Sequence, residues 1–153
     1  LFPVGVHQVE RLKGLQLKFT AFYKLLLEYP HLADTIVLLQ LGISVSEREQ
    51  DYHKCLSELR TLARKINSEF APSPDRPLED ENSFTLNRRI PYLCLADCLL
   101  NTSVRDGLNS LPLEYVQVQG ATRVDNPGVL MLSEFTSAMR VMRGAIRINP
   151  WKV

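Results

Sequence analysis

Two carboxylates flank a glycine turn in Cys98–Gln119 (CLLNTSVRDGLNSLPLEYVQVQ). Asp106 directly precedes Gly107, and Glu114 falls in the first turn of an expected helix. Carboxylates accept hydrogen bonds from hydroxyl groups, while the free N–H groups of a loop and a helix N-terminus receive anions. The stretch therefore has the parts of an anion-binding site. Asp106-Gly107 is a turn dipeptide, and Gly107 is free to take a positive φ. Asn109 or Ser110 can cap the helix, and Pro112 suits its first turn. Leu113 and Val116, with Gln117, would share one face of it. Before the turn, Cys98–Leu100 is an apolar run too short for a helix, closed by the polar Asn101, Thr102 and Ser103. No spacing elsewhere suggests a Ser-His-Asp or Cys-His nucleophile. Cys94 and Cys98 lack the partner cluster that zinc needs, so no metal and no cofactor is expected.

The rest of the chain must position that turn. Leu1–Val6 reads as a strand and His7–Lys13 as a polar loop. From Gly14 to Pro30 an amphipathic helix carries Leu15, Phe19, Phe22 and Leu26 on one face, with Lys18 and Lys24 off it. Thr35–Leu39 (TIVLL) reads as a second strand, apolar throughout and so buried on both faces. Gly42–Ser46 is a loop. The long helix after it has the stripe Tyr52, Cys55, Leu56, Leu59, Leu62, Ala63 and Ile66. Ala71–Asn82, with three prolines and four acids, reads as a surface loop. Phe84–Leu95 reads as a short helix with Pro91 as a point of bending. Past the glycine turn come a loop at Gly120–Pro127, a strand at Val129–Leu132, a loop and short helix at Ser133–Arg143, and a strand at Ala145–Ile148. This alternation predicts an α/β fold, a Rossmann-like parallel sheet flanked by helices. Ligands in such sheets bind beyond the carboxyl ends of the strands. Here those ends are His7–Lys13, Gly42–Ser46, Asn101–Ser110 and Ser133–Thr136.

Composition narrows the function classes. With 153 residues, 45% hydrophobic and 23% charged, residues 1–153 read as a single domain of a soluble protein. A net charge of +1 gives no support for a nucleic-acid or membrane partner. No apolar run approaches the roughly 18 residues of a membrane span. Cys55, Cys94 and Cys98 read as buried free thiols of a reducing, cytoplasmic compartment. His31 and His53 read as surface residues. Tyr52, Phe19 and Phe22 read as core, and Met131, Met139 and Met142 as core fillers. The chain lacks an initiator methionine and stops at Trp151-Lys152-Val153, which reads as part of a longer polypeptide.

Three stretches together resemble a known family. They are Lys13-Gly14, Thr102–Asn109 (TSVRDGLN), and Ser133-Glu134-Phe135 followed by Gly144–Trp151 (GAIRINPW). In order and spacing they are similar to the C-terminal, donor-binding half of trehalose-6-phosphate synthases, across essentially the whole chain. The resemblance implies one half of a GT-B fold, in which two Rossmann-like domains face each other. It also implies a retaining transfer of glucose from UDP-glucose to glucose-6-phosphate. Carried over residue by residue, Lys13 would neutralise the donor diphosphate and Asp106 would lie near the transferred glucose. The Gly107, Leu108, Asn109, Ser110 and Leu111 backbone would receive sugar hydroxyls and phosphate. Glu114 would hold the ribose hydroxyls. UDP-glucose or UDP is the implied ligand, and other subunits of a trehalose synthase/phosphatase complex are the implied partners.

The departures bear on activity. The family's diphosphate-binding arginine falls on Gln8, and an arginine of the acceptor phosphate site falls on Ser46. The family's middle strand falls on the acidic Leu78–Asn82. His7 takes an acidic position of the first loop, where it could contact ligand. Losing one such transition-state contact costs roughly 3 kcal/mol or more in other enzymes. The expectation is therefore a donor domain of a synthase-like protein that is non-catalytic or regulatory. Two other classes stay open: the donor half of an active UDP-glucose-dependent glycosyltransferase, and a pure assembly scaffold of a trehalose synthase complex. Arg105 is expected to pair with a nearby acid.

Overall fold

The computed structural model describes residues 1–43, 49–70 and 86–152. Five strands form one parallel sheet in the order β2-β1-β3-β4-β5. They are β1 (Pro3–Gln8), β2 (Leu39–Ile43), β3 (Cys98–Asn101), β4 (Val129–Ser133) and β5 (Ile146–Ile148). The helices are α1 (Leu15–Glu28), α2 (Glu49–Phe70), α3 (Leu86–Leu95), α4 (Leu111–Thr122) and α5 (Ala138–Val141). The α/β, Rossmann-like reading holds.

One face of the sheet builds the main core. Val4 and Val6 of β1, Leu39 and Leu41 of β2, Leu99 of β3 and Leu132 of β4 pack with Leu93 of α3 and Tyr115 of α4. Across the molecule, α1 and α2 pair through Leu15, Phe19, Tyr52, Cys55, Leu56 and Leu59. That agrees with the helical stripes expected of both.

Four expectations need correction. The second strand starts at Leu39, where Thr35–Leu39 was expected to end. Thr35 and Ile36 donate their amides to Leu32 O at 2.9 Å, which closes the turn after Pro30. Extended pairing with β1 begins only where Leu39 faces Val4. The strand also carries Gln40 and Gly42, so it is not apolar throughout.

Lys18, expected off the buried face of α1, is 1% exposed. Its Nζ donates to Gln40 Oε1 (2.8 Å) and to Leu100 O (3.0 Å). Gly5 makes the room: a Cβ there would lie 2.3 Å from that Nζ. Helix α4 turns a different face inward from the one expected. Leu111, Pro112, Tyr115 and Gln119 are buried, whereas Leu113 and Val116 are about half exposed. Tyr115 Oη donates to Ala96 O, and Gln119 bonds the backbone of Leu93 and Gly128. These polar anchors select the face that hydrophobicity alone does not. Finally, Gly107 does not use a positive φ; among the described residues Gly14 alone does. Pro91 lies inside α3, and the helix runs on to Leu95. Ser46, Ala71–Asn82 with its acidic Leu78–Asn82, and the start of Phe84–Leu95 lie outside the described residues.

Candidate functional site

The site forms where the segments after β1 and β3 leave the carboxyl edge of the sheet. After β1, Arg11–Lys13 makes a 3-10 turn, and Gly14, at φ 64°, links it to α1. Any Cβ at Gly14 would stand 2.0 Å from Thr102 O, so glycine is required by both conformation and contact. Thr102 Oγ1 donates to Gly14 O at 3.2 Å. The Val104 and Arg105 amides both donate to Leu12 O, at 2.9 and 3.2 Å. These bonds stitch the two segments side by side.

The stitching brings Lys13 to Asp106, 93 positions away, with Nζ 2.8 Å from Oδ1. Oδ2 of Asp106 accepts from Asn109 Nδ2 (3.0 Å) and Ser103 Oγ (3.3 Å). Burial pushes the Asp106 carboxyl up. The hydrogen bonds from Lys13 and Asn109, with the Lys13 charge, outweigh it and hold the group below the usual aspartate range. Asp106 is thus a fixed carboxylate. Asn109 Oδ1 also accepts from the Leu111 amide at 3.0 Å, so Asn109 braces the entry to α4. Ser110, in the cap position, makes no side-chain cap. The amides of Leu108, Asn109 and Ser110 find no acceptor among the described residues. Leu108 is 98% exposed. The glycine turn therefore offers donors to solvent at a helix N-terminus.

The far side is supplied by β4 and β5. Asp106 pairs with Thr136 in an isolated parallel bridge, and Ser137 Oγ donates to Gly107 O at 2.6 Å. Glu134 accepts from Asn149 Nδ2 at 2.5 Å while its amide donates to Ile148 O. The SEF and NPW segments thus meet through direct hydrogen bonds.

Glu114 forms a second cluster. Ser110 Oγ donates to its Oε1 at 2.7 Å. Arg89 Nη2 of α3 donates to Oε1 at 2.8 Å and lies 2.7 Å from Oε2. Arg89 was not singled out in the sequence. It sits in the basic pair Arg88-Arg89, and no local spacing ties it to Glu114. His7, named above for a possible ligand contact, lies with Asn101 in a buried polar pair. His7 is 3% exposed, and neither of its ring nitrogens, nor Nδ2 of Asn101, has a partner among the described residues. Burial, then the Lys18 charge, pull the His7 pKa well below the ordinary histidine value, though Asn101 works the other way. His7 is therefore neutral. Gln8 is exposed at the end of β1. Arg105 is exposed and makes no ion pair among the described residues. No cluster of acids, histidines and cysteines able to hold a metal occurs among the described residues. No helix among them is long and apolar enough to cross a membrane.

Comparison with known proteins fits this arrangement. A probable alpha,alpha-trehalose-phosphate synthase [UDP-forming] of Arabidopsis thaliana is 34% identical over 152 residues, covering 98% of this chain and 18% of the relative. A solved E. coli trehalose-6-phosphate structure, bound with UDP-2-fluoro glucose, superposes with a TM-score of 0.87 at 29% identity, covering 99% of this chain and 33% of that one. The N-terminal domain of Candida albicans trehalose-6-phosphate phosphatase superposes with a TM-score of 0.85 at 29% identity, covering 99% and 31%. The chain thus spans about a fifth of the plant relative and about a third of each solved neighbour. The model of glycosyltransferase family 20 matches residues 3–153, and the chain belongs to that family.

Proposed function

We propose that this chain is the UDP-glucose-facing domain of a trehalose-6-phosphate synthase-like protein in trehalose biosynthesis, kept for binding and regulation rather than turnover. The observation that carries the donor assignment is the meeting of Lys13 and Asp106 at 2.8 Å beside the N-terminus of α4. A cation, a carboxylate and unoccupied amides converge there, which is the chemistry a sugar diphosphate requires. The E. coli neighbour is bound with UDP-2-fluoro glucose, which supports the same ligand class. The non-catalytic part rests on Gln8, an uncharged residue at the place where the resemblance calls for an arginine. It is also supported by the phosphatase neighbour, whose N-terminal domain has the same fold.

Calorimetric titration of the full-length protein with UDP tests the donor site. Binding in the micromolar to low millimolar range, weakened about tenfold or more by Lys13→Ala, is expected, since losing a hydrogen-bonded charge partner costs about 2–5 kcal/mol. No binding at millimolar UDP overturns it. Supplied with UDP-glucose and glucose-6-phosphate, the same protein should release no trehalose 6-phosphate; robust release would show that it is a working transferase.

A further inference from the structure

Glu114 is not available as a simple acceptor. Its Oε1 already takes Ser110 Oγ and Arg89 Nη2. Its Oε2 is shut from solvent, has no hydrogen bond from the described residues, and faces the same guanidinium at 2.7 Å. Arg89 comes from α3, whereas the carboxylate and Ser110 belong to the turn and α4. Nε of Arg89 is likewise buried without a partner among the described residues. The guanidinium therefore uses one of its nitrogens on the carboxylate, and the adjacent one meets no acceptor among the described residues. Bidentate pairing of the fork would satisfy both. Both side chains keep about a fifth of their surface, 20% and 23%, so the pair can open without dismantling the core.

We propose that Arg89 is a latch on Glu114 that sets how tightly this site takes a nucleotide ribose. The inference rests on the donor reading above, together with the ribose role that the family resemblance implies for Glu114, and adds to it a specificity-determining residue. A vicinal diol pairs with a carboxylate by giving one O–H to each oxygen, and the two lone pairs of Oε1 are already taken by Ser110 and Arg89. Two-point pairing of the ribose diol therefore requires Arg89 to swing away first. The apparent affinity of a site falls by the fraction of time it is competent, so a latch closed about nine-tenths of the time weakens binding about tenfold.

The test compares full-length wild type with Arg89→Leu by calorimetric titration, using UDP and 2′,3′-dideoxy-UDP. Arg89→Leu should bind UDP about tenfold more tightly than wild type. It should bind the dideoxy compound no better than wild type does, because that ligand has no hydroxyls for Glu114. A general change in packing would move both ligands alike. Equal gains for the two ligands, or no gain for UDP where wild type binds it, overturn the latch and leave the donor site standing. Failure of both proteins to bind millimolar UDP overturns latch and donor site together. Arg89→Gln, which keeps a polar group at this half-buried position, carries the same expectations should the leucine variant not fold.

Discussion

Lys18 shows how far a single residue's role depends on what lies across from it. Its ammonium group sits between Gln40 Oε1 and Leu100 O in a side chain that is almost wholly buried. Burial pulls its pKa down to about 7. An unfolded lysine titrates at about 10.4. Between those two values the unfolded chain binds a proton that the folded chain does not, so stability rises with pH across that window. The urea midpoint of the protein should therefore increase between pH 7 and pH 9, and Lys18→Met should flatten the increase. Identical pH slopes in the two proteins would show that Lys18 is not the group responsible. Lys13 is the contrasting cation of the same region. Its charge is engaged by a carboxylate in a site that still reaches solvent, so it can hold or release an anion.

At the scale of elements, two glycines divide the work differently from the way their neighbours suggest. Gly107 lies in the turn dipeptide, yet its φ is ordinary and a Cβ there would meet nothing within 4 Å. Gly14 lies between a 3-10 turn and α1, holds φ 64°, and touches the backbone of the segment after β3. Gly14→Ala should cost more than about 2 kcal/mol, because left-handed strain adds to a collision with Thr102 O. Gly107→Ala should change stability by less than about 0.5 kcal/mol, as surface substitutions do. Equilibrium urea unfolding separates the two, and equal costs would contradict this division. The same contrast matters for the site. Lys13 reaches Asp106 because Gly14 lets two loops touch, while the glycine turn supplies open amides.

For the whole molecule, the sheet is packed unequally on its two faces. Leu132 of β4 is fully buried in the main core, whereas its neighbour Met131 points to the other side and lines a groove of about 580 Å³ between α1 and the strands. Leu100, Cys98 and Ile148 share that groove. Parallel sheets are ordinarily covered on both faces. Leu132→Ala should destabilise by about 3 kcal/mol, in the range for core leucines, and Met131→Ala by about 1 kcal/mol, since the groove already forfeits contacts. Chemical denaturation of the two variants checks this, and equal losses would mean that the faces are packed alike.

The amino-acid sequence by itself determined the alternation of strands and helices, the parallel sheet, the apolar stripes of α1 and α2, and the turn between β3 and α4. These are local: a period of two or of 3.6, an apolar run, a proline near a helix start or a turn dipeptide is written in neighbouring residues. Asp106 and Glu114 were legible as the carboxylates beside the glycine turn, and Lys13 through the family resemblance. Only the tertiary structure decided which groups they meet. Lys13 is held by Asp106, Glu114 by Arg89, and Lys18 by Gln40 and a strand carbonyl. The start of β2 depends on which residue β1 pairs with, and the inward face of α4 on carbonyls of another segment. Each of these pairings spans at least 19 residues. A buried polar group's partner is set by where the backbone brings a matching donor or acceptor, and neither period nor propensity carries that distance.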